Sequence, residues 1–237
     1  MNPMLMEYWL LRQRIILKFS QEESMIEKLI KGYDRFRNGY FQRNQARLEA
    51  LALEQAPEVA MVSCCDSRVD PGILFDVEPG EIFSIRNVAN LVPPFEKNGD
   101  YHGTSAALEF AVTCLQVKQI VVLGHANCGG IRALMENDDA IRSDGFIDSW
   151  MQIATPAKKE VLARSDLDTA EQQKDACEKT AVSYSLRNLM THPWIRSRVE
   201  KGSLDLVGCY YDLRSGELIE VDEINASTPK GSVNKGL

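Results

Sequence analysis

Much that would place this chain quickly is missing from it. None of its 237 residues fall in a run of the roughly 18 uninterrupted apolar residues that a membrane-spanning helix needs. The most apolar N-terminal stretch, Tyr8-Trp9-Leu10-Leu11 to Ile15-Ile16-Leu17, is broken by Arg12 and Arg14. It also lacks a small-residue cleavage site, so it does not read as a signal peptide. It fits an amphipathic arm, or an extension ahead of a translation start at Met25. There is no G-x-G-x-x-G and no P-loop, which removes the common nucleotide cradles. No internal repeat or low-complexity tract is present. Positive charge is in deficit, with 27 Lys and Arg against 34 Asp and Glu, a net charge of -7. That balance disfavours nucleic acid and anionic membranes as partners. Histidine is scarce as well, with three in all.

What is present is an ordinary globular composition, 44% hydrophobic and 26% charged. The length suits one α/β domain with terminal extensions. There are six cysteines, but a chain of this size does not need staples. Cys114, Cys177 and Cys209 sit in apolar or helical stretches rather than in spaced loops. The cysteines therefore point to a reducing compartment, and the chain is expected to be cytoplasmic.

Ser20-Gln21-Glu22-Glu23 reads as a capping box ahead of a helix carrying Ile26, Leu29, Ile30 and Tyr33 at helical spacing. Asn38-Gly39 interrupts, and a second helical stretch runs to about Gln55. Strands are expected over Val59 to Ser63, Ile82 to Arg86, Gln119 to Leu123 and Leu204 to Tyr211, with a hairpin partner over Glu217 to Glu220. Helices are expected over His102 to Val117, from Gly129 to Glu136, over Phe146 to Ala163 and Leu167 to Met190, and from Pro193. Glu136 to Gly145 reads as a loop, and the tail from Asn225 as loosely held. Strands alternating with helices imply a mainly parallel central sheet of about four strands plus an antiparallel edge strand, helices on both faces, and an N-terminal helical arm. The division is 1–55 extension and arm, 56–222 core, 223–237 tail.

The chemistry gathers at two strand ends. Cys64-Cys65-Asp66-Ser67-Arg68 closes the first strand, and His125-Ala126-Asn127-Cys128-Gly129-Gly130 follows the third. Alone, Cys64 reads as a buried core thiol. His125 and Cys128, three apart on a strand-to-helix turn, can face one ion, and the glycines let the backbone pass close. Cys, His and Cys with an open fourth position form a catalytic zinc set. Cys65 competes with Cys64, but successive strand residues point to opposite faces, so one of them reaches the metal. Asp66 and Arg68 follow at two-residue steps, which on an extended strand puts all three on one side. Asp66 is either a fourth ligand or a hydrogen-bond acceptor for the nucleophile, and a bidentate pair with Arg68 favours the second. His102, at a helix start, and His192, before Pro193, read as capping or solvent-exposed.

These motifs, with Pro79-Gly80-Glu81 and Arg86-Asn87-Val88-Ala89-Asn90 between them, resemble those of β-class carbonic anhydrases, from about Glu54 to Asp212. The resemblance implies one zinc per chain on Cys64, His125 and Cys128, and reversible hydration of carbon dioxide to bicarbonate and a proton. Asp66 and Arg68 would be catalytic, Asp66 aiming the nucleophile and Arg68 keeping Asp66 off the metal. It further implies a substrate pocket of Phe83, Val88 and Phe110, with the Gly129 N–H on bicarbonate and Gln55 supplied by a partner subunit. Gln55 marks the glutamine-containing subgroup. The other subgroup has tryptophan where this chain has Met61; although Arg86 and Tyr211 match the rest of its inhibitory bicarbonate site, no such switch is expected. Some relatives carry Tyr at the position of Phe110 and His at that of Cys114, which leaves the proton path here open. The family architecture implies a homodimer or higher even oligomer whose N-terminal helices wrap the neighbour. A carbon disulfide or carbonyl sulfide hydrolase on the same fold, and a non-catalytic zinc-stabilised binding domain, are the alternatives.

Overall fold

The computed structural model describes residues 24–98, 101–136 and 145–221. The expected capping box at residues 20–23, most of the loop after Glu136 and the tail from Asn225 lie outside them. The box that forms is one turn later. Ser24 accepts from the Glu27 N–H while Glu27 takes the Ser24 N–H, and α1 runs Met25–Phe36. Its apolar residues Ile26, Leu29, Ile30 and Tyr33 are all more than half exposed. Asn38-Gly39 does not end the helix as expected. The backbone widens into a π turn over Arg37–Phe41, and the break falls at Asn44, whose side chain donates to the Tyr40 carbonyl; α2, Gln45–Leu53, follows. The chain divides into two compact units between Glu54 and Gln55.

The second unit is built on β1, Val59–Cys64, whose residues after Val59 are all buried. Then come a short helix α3, Pro71–Leu74, capped by Asp70, and β2, Ile82–Asn87. Helix α4, Gly103–Glu109, widens into a π turn over Phe110–Cys114, where Thr113 donates to the Glu109 carbonyl. β3 is Gln119–His125 and α5 is Gly129–Glu136. The expected helix over 146–163 is two, α6, Phe146–Met151, and α7, Thr155–Leu162, split by a 3₁₀ turn ahead of Pro156. Pro156 cannot donate the hydrogen bond that would continue the first helix. α8, Ala170–Leu189, opens on a Thr169/Gln172 capping box; α9, Pro193–Glu200, β4, Asp205–Tyr211, and β5, Leu218–Glu220, complete the order.

The sheet order is β2-β1-β3-β4-β5, with the first four parallel and β5 antiparallel. Connections leave β1 toward β2 on one side and reach β3 on the other, so the strand order reverses between β1 and β3. In such sheets the crevice beyond the carboxyl ends at that reversal is where ligands bind.

The two sheet faces are covered unequally. Ala60, Val62, Ile120, Val122 and Ile85 pack with Leu108, Val112, Val182, Leu186 and Ile195, from α4, its π turn, α8 and α9. On the other face Met61 and Leu123 meet Val69 and a rim of half-buried groups, Leu74 and Phe75 among them. Two glycines set how closely α8 approaches. A Cβ on Gly124 would stand 2.6 Å from Val182 Cγ2, and one on Gly208 would stand 2.4 Å from the Val221 carbonyl and 2.9 Å from Leu186 Cδ1. A backbone oxygen cannot swing aside as a flexible side chain can. Gly208→Ala is therefore expected to cost about 2–3 kcal/mol as overpacking and to lower Tm by about 5–10 °C for a chain of this size. Gly103→Ala, where a Cβ meets nothing within 4 Å, serves as the control in the same thermal melts.

Candidate metal centre and active site

β1 ends at Cys64 and β3 ends at His125, and the two strands are hydrogen-bonded neighbours. Asn127 takes a left-handed conformation (φ 57°), which turns the chain so that Cys128 comes back toward the strand ends just before α5. The Sγ atoms of Cys64 and Cys128 and a ring nitrogen of His125 lie within 4.8 Å of one another, all three residues buried. Cys65 is exposed, so the parity argument for Cys64 holds.

The donor set fits a zinc ion on an observation independent of its composition. His125 Nδ1 is 2.9 Å from the Ala126 carbonyl, to which it donates, while Nε2 is buried and among the described residues has no hydrogen-bond partner. An acceptor on one ring nitrogen fixes the tautomer that offers the other to a metal. Contact between the two thiols moves their pKa values in opposite directions. Contact with Cys128, aided by His125 and the Asp66 backbone, pulls the Cys64 thiol down to about 4. Cys128 is pushed up by the same contact and by burial, against the pull of the Gly130 and Ile131 N–H groups at the start of α5.

Asp66 and Arg68 do form a bidentate pair, but not for the reason the strand pattern suggests. β1 stops at Cys64, and Asp66 folds into a side-chain-capped turn, its Oδ1 accepting from the Arg68 backbone N–H at 3.0 Å. Arg68 Nε and Nη2 then reach Oδ1 and Oδ2 at 2.9 and 2.7 Å, and Nη2 also donates to the Asn127 carbonyl at 3.0 Å. The Arg68 hydrogen bonds hold the Asp66 carboxyl well below the usual carboxylate range. The pair thus ties the Cys64 loop to the turn that carries Cys128.

Arg86 clamps the same loop from beneath. Its Nε donates to the Cys64 carbonyl, Nη2 to those of Asp66 and Val69, and Nη1 to Asp70 Oδ2, at 2.8–3.1 Å. Opposite it, Ala89 and Asn90 are held at positive φ (61° and 49°) by Asn87, which brackets Leu91 through both its side-chain atoms, and by Trp150, whose Nε1 donates to the Val88 carbonyl at 2.8 Å. This loop lies against the metal turn. A Cβ on Gly130 would stand 3.1 Å from Ala89 Cβ and Val88 Cγ1.

Of the expected substrate residues, Phe83 and Phe110 pair with ring centroids 5.9 Å apart, and Val88 sits beside Gly130. Gly129 is exposed, with open space where a Cβ would be. Gln55 is exposed in the segment between α2 and β1. His192 differs from expectation. Rather than capping or facing solvent, its ring is fully buried between Phe95 and Trp194, with Nε2 on the Pro93 carbonyl. His102 stands at the start of α4, as expected.

Sequence reasoning passed over Glu178. It is a buried carboxylate on α8 that accepts from the Cys128 backbone N–H and from the Tyr210 hydroxyl. Burial pushes its pKa up to about 6 against those two donors. The available signal is an acid next to Cys177 and ahead of Thr180, Ala181 and Val182, where the helix turns from charged to small and apolar residues.

Fold and site together define a metal-dependent enzyme of the parallel α/β class. A Cys-His-Cys set stands at the point where the strand order reverses, with a carboxylate held by arginine beside it. The carbonic anhydrase family profile matches residues 59–218. The chain is 37% identical to β carbonic anhydrase 3 of Arabidopsis thaliana over 86% of its own length and 80% of that protein. It is 46% identical to the mitochondrial β carbonic anhydrase 6 of the same plant over 70% of its length, spanning 57% of that protein. Among solved structures, the β-carbonic anhydrase CcaA superposes with a TM-score of 0.78 at 31% identity, covering 84% of this chain and 88% of that one. The chain belongs to the β-class carbonic anhydrases, zinc enzymes of the lyase class. Among the described residues no helix is long and apolar enough to cross a membrane.

Proposed function

We propose that this chain catalyses the reversible hydration of carbon dioxide to bicarbonate and a proton, with Asp66 and Arg68 as its catalytic pair. The observation that carries the proposal is the meeting of Cys64, His125 and Cys128 beside an Asp66 whose two oxygens are both engaged by Arg68. Cys64, His125 and Cys128 would hold the zinc ion, which would supply Lewis acidity and lower the pKa of a water toward about 7. Asp66, ionised and oriented, accepts the remaining proton's hydrogen bond and aims the oxygen at carbon dioxide. Arg68, by engaging both Asp66 oxygens, would keep that carboxylate from joining the three residues that hold the metal. Phe83, Val88 and Phe110 offer carbon dioxide an apolar surface, and the Gly129 N–H donates to bicarbonate.

In this reading residues 1–55 are a dimerisation arm, 56–222 the catalytic core and 223–237 a tail. The exposed apolar stripe of α1 supports a second copy as its cover, in a homodimer or higher even oligomer. Gln55, exposed on this chain, would then reach the substrate of the partner subunit, which is the arrangement of the glutamine-containing subgroup. Arg86 spends its donors on four acceptors of the Cys64 loop, and Met61 is buried, which supports the absence of a bicarbonate switch. Six free cysteines support a reducing compartment, taken here as the cytoplasm, with a role in carbon utilization.

The test is metal analysis beside stopped-flow assays with three gases. About one zinc per chain with rapid hydration of carbon dioxide is expected. A zinc-loaded chain that hydrolyses carbonyl sulfide or carbon disulfide and leaves carbon dioxide untouched would overturn the proposal, as would one inert toward all three.

A further inference from the structure

Glu178 is buried to 2% exposure, and burying a carboxylate is costly unless its oxygens are satisfied. Among the described residues both oxygens are satisfied by neutral donors and neither by a cation. Oε1 takes the Cys128 N–H at 2.9 Å and Oε2 the Tyr210 hydroxyl at 2.8 Å. Cys128 and Tyr210 are each 1% exposed. The three residues come from different elements: α8, the turn into α5, and β4.

The first N–H groups of a helix and its approach have no intrahelical acceptor. At Cys128 water is excluded, so a protein acceptor must be supplied. A charged acceptor makes the stronger and shorter bond. Its other oxygen is fixed by Tyr210, which pairs with Gly124, one residue before the ligand His125. The backbone on both sides of the Asn127 turn is thereby referred to one rigid group. Cys64 and His125 are placed by the sheet ladder; Cys128 has left it and needs this tether.

We propose that Glu178 is a positioning residue of the metal centre, holding the Cys128 ligand in place through its backbone amide. The proposal rests on the metal-site reading above. Its test uses the full-length chain and the variants E178Q, E178L and Y210F, each loaded with zinc or cobalt. The readouts are zinc affinity by chelator competition and the cobalt–thiolate absorption spectrum, with circular dichroism to establish folding.

Glutamine keeps an acceptor for the Cys128 N–H and can donate to the Tyr210 oxygen, so E178Q is expected to hold zinc within about threefold of the parent and keep its spectrum. E178L removes both bonds and is expected to weaken zinc about 10–100-fold, as losing a group that orients a metal ligand does, and to shift the cobalt bands. Y210F frees one carboxylate oxygen and is expected to weaken zinc about 3–10-fold, less than E178L because the Cys128 N–H keeps its acceptor. A folded E178L with the parent's affinity and spectrum would overturn the proposal. So would an E178Q as weak as E178L, since charge and not the tether would then be the cause. If E178L does not fold, Y210F decides, and parent-like values in both readouts overturn it. A parent chain that shows no cobalt–thiolate band defeats the metal-site reading itself, a result distinguishable from any variant effect.

Discussion

Asp66→Asn is expected to lower kcat/KM for carbon dioxide hydration by about 10²–10⁴-fold, the range a positioned proton acceptor contributes, while about one zinc per chain is retained. The substitution is nearly isosteric, so the turn survives. Asn Oδ1 can still accept from the Arg68 backbone N–H that now bonds Asp66 Oδ1. What changes is the other side-chain atom. In the native chain Oδ2 accepts from Arg68 Nη2 at 2.7 Å. In the variant an amide NH₂ would face that guanidinium donor to donor, so the bidentate pair opens. On the proposed reading, the acceptor that would aim the nucleophile is then lost, and its neutral replacement is no longer held by both of its side-chain atoms. Stopped-flow hydration paired with metal analysis separates the two effects. Loss of turnover with zinc kept supports the catalytic role of Asp66, and unchanged hydration excludes it. Loss of zinc as well would make Asp66 a ligand and the site a closed structural one.

The Asp66–Arg68 pair also shows where the sequence was informative for the wrong reason. Two-residue spacing suggested an extended strand presenting Cys64, Asp66 and Arg68 on one side, but β1 ends at Cys64 and a turn brings the pair together. Short polar side chains after a strand favour such turns, and hydrophobic alternation does not register them. The ligand set was more legible, because HxxC on a strand-to-helix turn is a local pattern and needs no knowledge of the sheet. That it meets Cys64 depends on β1 and β3 being neighbours, which periodicity cannot show and the ladder does. The least legible part lies on α8. Its buried residues mix small or polar side chains, Cys177, Glu178, Thr180, Ala181, Ser183 and Ser185, with Val182, Leu186 and Leu189, and it is Val182 and Leu186 that lie against Gly124 and Gly208. Small and polar residues on a buried face carry little hydrophobic signal. For that reason Glu178 does not stand out in the sequence, and His192, beside a proline, reads as capping or solvent-exposed while its ring lies between two aromatic side chains.

The adjacent cysteines give the sharpest contrast in the molecule. Cys64→Ser is expected to abolish stoichiometric zinc and to reduce hydration by more than about a hundredfold, the upper range of changes made outside the ligand set. Cys65→Ser is expected to leave zinc content unchanged. The difference follows from pleat and environment. Cys64 is 6% exposed and faces His125 and Cys128, in surroundings that pull its thiol to about 4 and so favour the anion a metal binds. A serine hydroxyl there cannot ionise near neutral pH, and its oxygen is a harder donor than the thiolate zinc prefers. Cys65 is exposed, and what it gives the site is a backbone N–H to the Asn87 carbonyl at 2.8 Å, which serine supplies equally. Measured zinc content of the two variants, prepared identically, decides the matter. If Cys65→Ser were the variant that lost the metal, the strand would be one residue out of register, and the positions of Asp66 and Arg68 relative to the metal would fail with it.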